Sequence, residues 1–340
     1  MRVPLSYCLV AFMKRFSTVA FICLLLGMGV TALALVTSYY GWPIQLEILS
    51  HFQAQYFVVT IALAVFILCL QQSRFALAMI FFSAILSVQL VSWYSLWLPA
   101  SASSANYKVL SANVWVRNTD AKRVLELVAK EQPDLALFME VNDVMGEQLA
   151  SALKTILPYS SNQLTPYRLG TVLYSKKPLA NVQLQQFNTR NASNITARVE
   201  VNGQQISVVG IHPFPPTTPE LFGSRNQVLA AVSDYVQLQP NPVILVGDFN
   251  TTMWSPYYRQ LARTTGLQNS RAGFGLLPTW PSSLSYANVP QLNALTRLFQ
   301  IPIDQCLASP SLEVVGMHTG PNIGSDHLPI VVDFQLDDAA

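Results

Sequence analysis

Charge is what this sequence has least of. Only 11% of its 340 residues are Asp, Glu, Lys or Arg, and 51% are hydrophobic. An ordinary soluble domain carries about 25% charged residues. The shortage is local. Residues 1–100 hold only Arg2, Lys14, Arg15, Arg74 and Glu47, so the rest of the chain has 16 of the 20 basic and 17 of the 18 acidic residues, a net of −1. A front end this poor in charge implies a membrane part. A remainder this evenly balanced lacks the basic face that a duplex-binding protein usually presents. Cysteine is scarce too. Cys8, Cys23 and Cys69 fall in the hydrophobic part and Cys306 alone in the rest, which excludes a disulfide within that second part. With no CxxC pair, zinc and redox readings lose their support. No internal repeat is evident.

Long hydrophobic runs, by contrast, are present. They cover 16–40, 56–70 (extended to a full span by Gln53 to Gln72) and 75–98. About 20 apolar residues cross a bilayer, and Trp42, Trp93 and Trp97 sit near the ends, as interface aromatics do. The first run is too long for a cleaved signal peptide and two more follow it, so it reads as a signal anchor. Basic residues precede the first run, and Arg74 lies between the second and third; the loop from 39 to 54 has none. The positive-inside rule then puts the N-terminus and the 72–75 turn in the cytoplasm. After three spans the rest of the chain lies on the periplasmic or extracellular side of the inner (plasma) membrane; after two it would be cytoplasmic. The runs hold almost no charge, which favours an anchor over a transport path. The expected organisation is a membrane anchor over 1–100, a linker over 101–106 within the small polar stretch "LPASASSANYK", and a second domain over 107–340.

In that domain short strand-like runs alternate with amphipathic helices. Strands are expected at 107–116, 134–141, in "GTVLYSK", "LANVQLQQF", "ITARVEV" and "QQISVVGIH", in "NPVILVGDF", and in "IPIDQCLAS" and "LPIVVDFQL". Helices are expected at 120–134, near 143–156 and at 225–238. Many strands with few helices predict an α/β sandwich, sheets packed together with helices outside. The polar residues that end the strands are more telling. Asn113 ends the first, Glu140 the second and His212 "ISVVGIH". Asp248 and Asn250 end "VILVGDFN" two residues apart, on one face of an extended chain. Asp304 lies in "IPID", and Asp326 and His327 precede the last strand. Each alone reads as a turn residue, a cap or a solvated charge. Together they deliver carboxylates, carboxamides and imidazoles to the ends of rigid strands, where catalytic groups commonly sit. Carboxylates and a carboxamide suit a hard cation such as Mg²⁺ or Mn²⁺. A histidine beside an acid can serve as a base. That set is what phosphodiester hydrolysis needs.

In order, "LSANVW", "LFMEV", "GTVLYSKKPL", "VVGIHPFPP", "VILVGDFNTTMWSP", "IPIDQCLAS" and "GSDHLPIVVDF" resemble the signature blocks of the endonuclease/exonuclease/phosphatase superfamily. It includes DNase I-like nucleases, abasic-site endonucleases, sphingomyelinases and inositol polyphosphate 5-phosphatases. The likeness covers about residues 106–336. It implies a four-layer α/β/β/α sandwich and a divalent metal, usually Mg²⁺. It further implies Asn113 and Glu140 at the metal, with Glu140 the principal ligand and Asp326 a ligand or a support. Asp248 would orient or activate the attacking water, and Asn250 would bind phosphate and steady Asp248. His212 would contact phosphoryl oxygens or protonate the leaving group, while Asp304 would orient His327. Many abasic-site endonucleases carry an acid where this chain has Trp115, which with the charge balance argues against DNA repair. "SRAGFGLLPTWP" looks like a loop of membrane-anchored bacterial members, in which Arg271 and Trp280 would touch substrate or else serve as a surface cation and a packing indole.

The expectation is a membrane-anchored, metal-dependent phosphodiesterase or phosphatase. Its partners are the bilayer and a phosphoester, whether phospholipid, small phosphoester or nucleic acid; no obligate protein partner is implied. The alternatives are a non-specific nuclease on the outer side and a noncatalytic binding module, which the presence of Glu140, Asp248 and His327 disfavours.

Overall fold

The structure, a computed structural model, describes residues 5–41, 43–94, 105–161, 170–188, 194–282 and 296–336. Arg2, Trp42, Trp97 and the 101–104 part of the expected linker lie outside the described residues. The chain divides into two compact units, Met1–Ser92 and Trp93–Ala340.

The first unit is helical: α1 (Leu5–Tyr39), α2 (Ile44–Glu47), a 3-10 turn (Ile48–Phe52), α3 (Gln53–Cys69) and α4 (Ser73–Val91). Phe16–Tyr39, Ile44–Cys69 and Ser73–Val91 are long and apolar enough to cross a membrane. A helix satisfies its own backbone, which is what a lipid-facing segment requires. Ala20, Ala64, Ile67, Ala76 and Met79 pack inside, whereas Leu26, Val58, Leu77 and Val88 face outward. The interior is less apolar than the runs imply. The Gln53 amide donates to the Ala34 carbonyl, the Ser38 hydroxyl and the Ser50 carbonyl at 3.1, 2.8 and 3.2 Å, tying α3 to α1. Glu47 and His51 are buried and 3.5 Å apart. His51 thus has an acidic partner a helical turn away.

In the second unit the elements run β1 (Tyr107–Asn113), α5 (Lys122–Glu131), β2 (Leu135–Met139), α6 (Asp143–Leu153), β3 (Tyr159–Ser160), β4 (Val172–Ser175), β5 (Leu179–Leu184), β6 (Ile195–Val201), β7 (Gln204–Ile211), α7 (Pro219–Gln237), β8 (Val243–Asp248), α8 (Pro256–Thr265), β9 (Gln268–Asn269), β10 (Asp304–Ala308), β11 (Glu313–Thr319) and β12 (Ile330–Gln335). Two six-stranded sheets result, β11-β12-β1-β2-β4-β3 and β5-β6-β7-β8-β10-β9. Each has a central parallel pair joined through a helix, β1-α5-β2 and β7-α7-β8.

Strand alternation builds the layers. Val109, Leu135, Leu137 and Val332 of one sheet meet Ile195, Val208, Ile244 and Val246 of the other. Leu110, Ala136, Phe138 and Val331 point the opposite way, onto Val124, Leu127 and Val128 of α5 and Met145 and Leu149 of α6. Helices α7 and α8 pack on each other beside the second sheet. Two mixed sheets flanked by helices form the expected α/β sandwich. The Asn202-Gly203 turn between β6 and β7 has both residues at positive φ, 51° and 77°, as a two-residue I′ hairpin needs. Several bounds and elements differ from expectation: β1 stops at Asn113 rather than 116, α5 covers Lys122–Glu131 rather than 120–134, and β11 was not expected. Helix α7 begins at Pro219, not 225, because the Thr218 hydroxyl caps it by accepting from the Leu221 N–H. Helix α8 was not anticipated; Ser255 caps it, Pro256 opens it and Gly266 at φ 68° closes it.

Candidate active site

The register of the sheets explains why the polar strand ends converge. Strands β1 and β2 are parallel, so Asn113 and the residue after Met139 finish side by side. Strands β7 and β8 repeat the arrangement with His212 and Asp248. Antiparallel β10 starts where β8 ends, pairing Asp304 with Asp248. Antiparallel β12 starts at the Asn113 end of β1, which brings in the 325–327 loop.

Their side chains form one connected network. The Asn113 amide nitrogen donates to Glu140 Oε1 at 2.9 Å and Asp248 Oδ2 at 3.3 Å, bridging the two sheets. Glu140 Oε2 accepts from the Val116 N–H at 3.0 Å. His212 Nε2 lies 3.7 Å from Glu140 Oε1 and 3.8 Å from Asp248 Oδ2. His327 Nε2 is 3.6 Å from Asp248 Oδ2, and its Nδ1 is 2.9 Å from Asp304 Oδ2. Asp248 Oδ1 accepts from the Asn250 N–H at 2.8 Å. The Asn250 amide donates to the Pro213 carbonyl at 3.0 Å. Seven of the expected residues are thus together: Asn113, Glu140, His212, Asp248, Asn250, Asp304 and His327.

Charge is crowded here. Burial raises the Asp248 carboxyl to about 7; His327 and the Asn250 N–H oppose that rise, and Asp304 and Glu140 add to it. For His327, burial disfavours the cation but the Asp304 and Asp248 carboxylates outweigh it, raising the imidazole to about 10. Burial holds His212 below its ordinary value against the pull of Glu140. Glu140 resists its own burial and is lowered by His212, the Asn113 amide and the Val116 N–H. The backbone is strained at the same place. Trp115, Glu140 and Asn250 have φ of 66°, 56° and 49°, a region that non-glycine residues rarely adopt and that clusters at functional sites. Gly247 at φ 145° is obligatory, because a Cβ there would lie 2.0 Å from the Ile211 carbonyl oxygen.

The donor set fits a hard divalent cation. Its ligand atoms are oxygens and imidazole nitrogens without a thiolate, and the mutual repulsion of Glu140, Asp248 and Asp304 is what a cation would relieve. Asp248, Asp304 and His327 offer ligand atoms all within 4.8 Å of one another. The 2.9 Å contact makes Asp304 and His327 an acid–imidazole pair, however, which commits His327 Nδ1 to a hydrogen bond. Glu140 is the carboxylate left at the mouth, its side chain 28% exposed.

Three expected residues are placed differently. Asn113 turns its nitrogen, which has no lone pair for a cation, toward the carboxylates; its oxygen accepts from the Trp115 N–H at 3.0 Å. Asp326 stands outside the tight group, its Oδ2 accepting from the Trp280 indole at 3.3 Å. Arg271 is 0% exposed and donates to the Gln305 side chain at 2.6 Å and the Asp304 carbonyl at 2.9 Å. It is therefore neither a substrate contact nor a surface cation but a buried prop beneath Asp304. Trp280 remains 37% exposed at the rim.

Other contributors were not read from the sequence. Met139 offers its sulfur to the Asp248 N–H at 3.1 Å. The Ser325 hydroxyl donates to the Asn113 carbonyl at 2.7 Å and accepts from the His327 N–H at 3.1 Å. Arg225 donates to the Asn250 carbonyl at 3.0 Å. The Ser325 position beside Asp326-His327 was the one available signal.

The endonuclease/exonuclease/phosphatase family description matches residues 110–327. No curated protein matches the chain. Among solved structures, D. rerio TDP2 complexed with a single-strand DNA product is similar at TM-score 0.55 and 16% identity, over 67% of this chain and 98% of that one. Sphingomyelinase C from Streptomyces griseocarneus is similar at 0.50 and 16%, over 68% and 99%. A beta toxin variant from Staphylococcus aureus with bound magnesium ions is similar at 0.50 and 18%, over 67% and 99%. The chain belongs to the endonuclease/exonuclease/phosphatase family, whose members hydrolyse phosphoester bonds and depend on a divalent metal.

Proposed function

We propose that this protein is a membrane-anchored phosphodiesterase or phosphatase that uses Mg²⁺ or Mn²⁺. The observation that carries the reading is the row of contacts Asp304–His327–Asp248, at 2.9 and 3.6 Å, facing Glu140 and His212. Asp304 fixes the His327 imidazole. Asp248, buried and raised to about 7, accepts a proton from the attacking water at neutral pH. Asn250 holds Asp248 through its backbone N–H and offers its side-chain amide to a phosphoryl oxygen. His212, partly exposed beside Glu140, contacts the phosphoryl group or protonates the departing oxygen. Glu140 is the principal metal ligand, while Asn113 orients Glu140 and Asp248 and Asp326 supports the site. The divalent cation, when bound, supplies charge stabilisation at the phosphoryl oxygens.

The anchor is residues 1–100, joined through 101–106 to the catalytic domain 107–340, which lies on the periplasmic or extracellular side of the inner membrane. Three apolar helices and the basic residues flanking the first of them support this topology. The substrate is a phospholipid or small apolar phosphoester. Exposed Val116, Phe214 and Trp280 each adjoin a site group, and the domain carries no net basic charge. A non-specific nuclease is the second reading, favoured by the nucleic-acid product named with TDP2. The test is full-length protein in detergent, assayed with Mg²⁺, Mn²⁺ or EDTA. The substrates are bis-p-nitrophenyl phosphate, plasmid DNA, RNA, phospholipids and inositol phosphates. EDTA-sensitive turnover supports the hydrolase, and the best substrate separates lipid from nucleic acid. No turnover by folded protein, with no Mg²⁺-dependent shift in melting, refutes it in favour of a binding module.

A further inference from the structure

The turn that carries Asp248 and Asn250 is gripped from behind by a cation that the chemistry above does not use. Asn250 sits at φ 49°, a conformation that persists in a non-glycine residue only when its surroundings over-determine it. Three contacts hold it. Its N–H donates to Asp248 Oδ1 and its side-chain amide to the Pro213 carbonyl. The third comes from the interior: Arg225 Nη1 donates to the Asn250 carbonyl at 3.0 Å.

Arg225 is built to hold that bond. It lies on α7 with no solvent exposure, and a guanidinium stays charged at any working pH. Its Nε and Nη2 both donate to Asn226 Oδ1, at 3.0 and 2.8 Å, which fixes the plane of the fork. Its Cζ lies 5.0 Å from the Phe222 ring and 5.8 Å from the Tyr257 ring. Those rings meet edge-on at 5.5 Å and 89°. Residues on α7 and at the start of α8 thus lock the cation's plane and height. A buried cation is costly unless well bonded, and a neutral side chain would serve packing alone more cheaply.

We infer that Arg225 is a positioning residue whose bond to the Asn250 carbonyl keeps that residue in the left-handed conformation that aims its N–H at Asp248. The inference rests on the hydrolase reading. A charge-assisted bond is stronger and more directional than a neutral one, and the rigid fork sets both distance and angle. The held carbonyl and the N–H that reaches Asp248 lie on either side of the Asn250 Cα, so the φ and ψ of this one residue set the relation between them.

The test uses full-length protein in detergent with bis-p-nitrophenyl phosphate and Mg²⁺, comparing wild type, Arg225→Met, Arg225→Lys, Asn250→Ala and the Arg225→Met/Asn250→Ala pair. Folding is followed by circular dichroism. Arg225→Met should lower kcat about 10- to 100-fold with KM little changed, the loss expected of one charged hydrogen bond. Arg225→Lys should recover part of it. Because both contacts fix the conformation of residue 250, their losses should combine to less than their product. A folded Arg225→Met with wild-type kcat, or fully multiplicative losses, overturns the inference and leaves the hydrolase reading intact. Failure of both Arg225 variants to fold assigns the residue to the core and overturns it equally. A wild type with no metal-dependent turnover refutes the hydrolase reading itself.

Discussion

Replacing Asp248 with Asn should make the protein inactive and, without metal, more stable. The ordinary value of 3.8 rises to about 7 in the fold, a difference of about three units. At about 1.36 kcal/mol per unit, keeping Asp248 ionised costs the folded state about 4 kcal/mol at pH 8. Asn has the same shape, can still accept from the Asn250 N–H and carries no charge. The sign follows from proton binding. Between about pH 4 and 7 the folded state holds a proton that the unfolded chain has released, so stability falls as pH rises through that window. His327, raised to about 10 from 6.5, adds a slope of the same sign above pH 6.5. Asp248→Asn removes the first slope and, by taking one carboxylate from His327, weakens the second. For a unit of about this size 1 kcal/mol moves Tm by roughly 2–4 °C, so at pH 8 in EDTA the variant should melt about 8–16 °C above wild type. Mg²⁺ should narrow the gap, since a cation offsets the carboxylate only where the carboxylate exists. Melting curves of full-length protein in detergent at pH 5 and 8, with EDTA or Mg²⁺, decide it. A variant that melts below wild type at pH 8 in EDTA would refute the reasoning.

Alanine at His327 or Asp304 should lower kcat on bis-p-nitrophenyl phosphate by about 10²–10⁴-fold, the usual worth of a positioned acid–base group. Circular dichroism should be unchanged, and substantial activity in purified His327→Ala would count heavily against the site. Gly247→Ala should misfold, because its Cβ would sit 2.0 Å from the Ile211 oxygen. A well-folded, monodisperse variant on size exclusion would show that the strand tolerates what the geometry forbids. Arg271→Met should lose about 3 kcal/mol of stability through its charged hydrogen bonds while KM holds steady; a raised KM at unchanged Tm would return Arg271 to the substrate. Phe214→Ala and Trp280→Ala should raise KM for a long-chain phospholipid and spare bis-p-nitrophenyl phosphate, and equal effects on both would remove the rim from substrate choice.

The seven grouped residues were legible because they stand at or beside the ends of apolar strands, Asp304 and His327 at the start of theirs and the other five at the finish. Burial makes a strand's length visible as a run of Val, Ile and Leu, and a carboxylate that terminates such a run stands out. Pairing did the rest: once β1 lies parallel to β2 and β7 to β8, their polar ends must share an edge. The cations were illegible for the opposite reason. Arg225 and Arg271 look like any surface basic residue, since a sequence shows a charge without showing what covers it. Met139 reads as one more core residue, although its sulfur faces the Asp248 N–H. In the helical unit, Glu47 and His51 fall in a stretch that seemed a loop, and only the turn between the helices buries them together. The start of α7 was missed because the Thr218-Pro219 signal lies six residues before the periodic stretch that was read as the helix.

The strain and the charge at the site have a common origin. Each group must leave its strand and turn toward the same point, and the chain does so by left-handed residues at Trp115, Glu140 and Asn250. Such turns are unfavourable alone, so each is clamped. The Gly170 carbonyl accepts from the Val141 N–H just after Glu140, Asn113 accepts from the Trp115 N–H, and Arg225 donates to Asn250. The clamps lie outside the reacting groups and are themselves buried or tied to backbone. A fold selected for stability alone would relax these residues into ordinary turns and would not set one buried carboxylate opposite another, as β8 and β10 set Asp248 opposite Asp304. That both costs persist in one place, held by structure that serves no other visible purpose, is the physical argument that this edge of the sandwich is where the protein works.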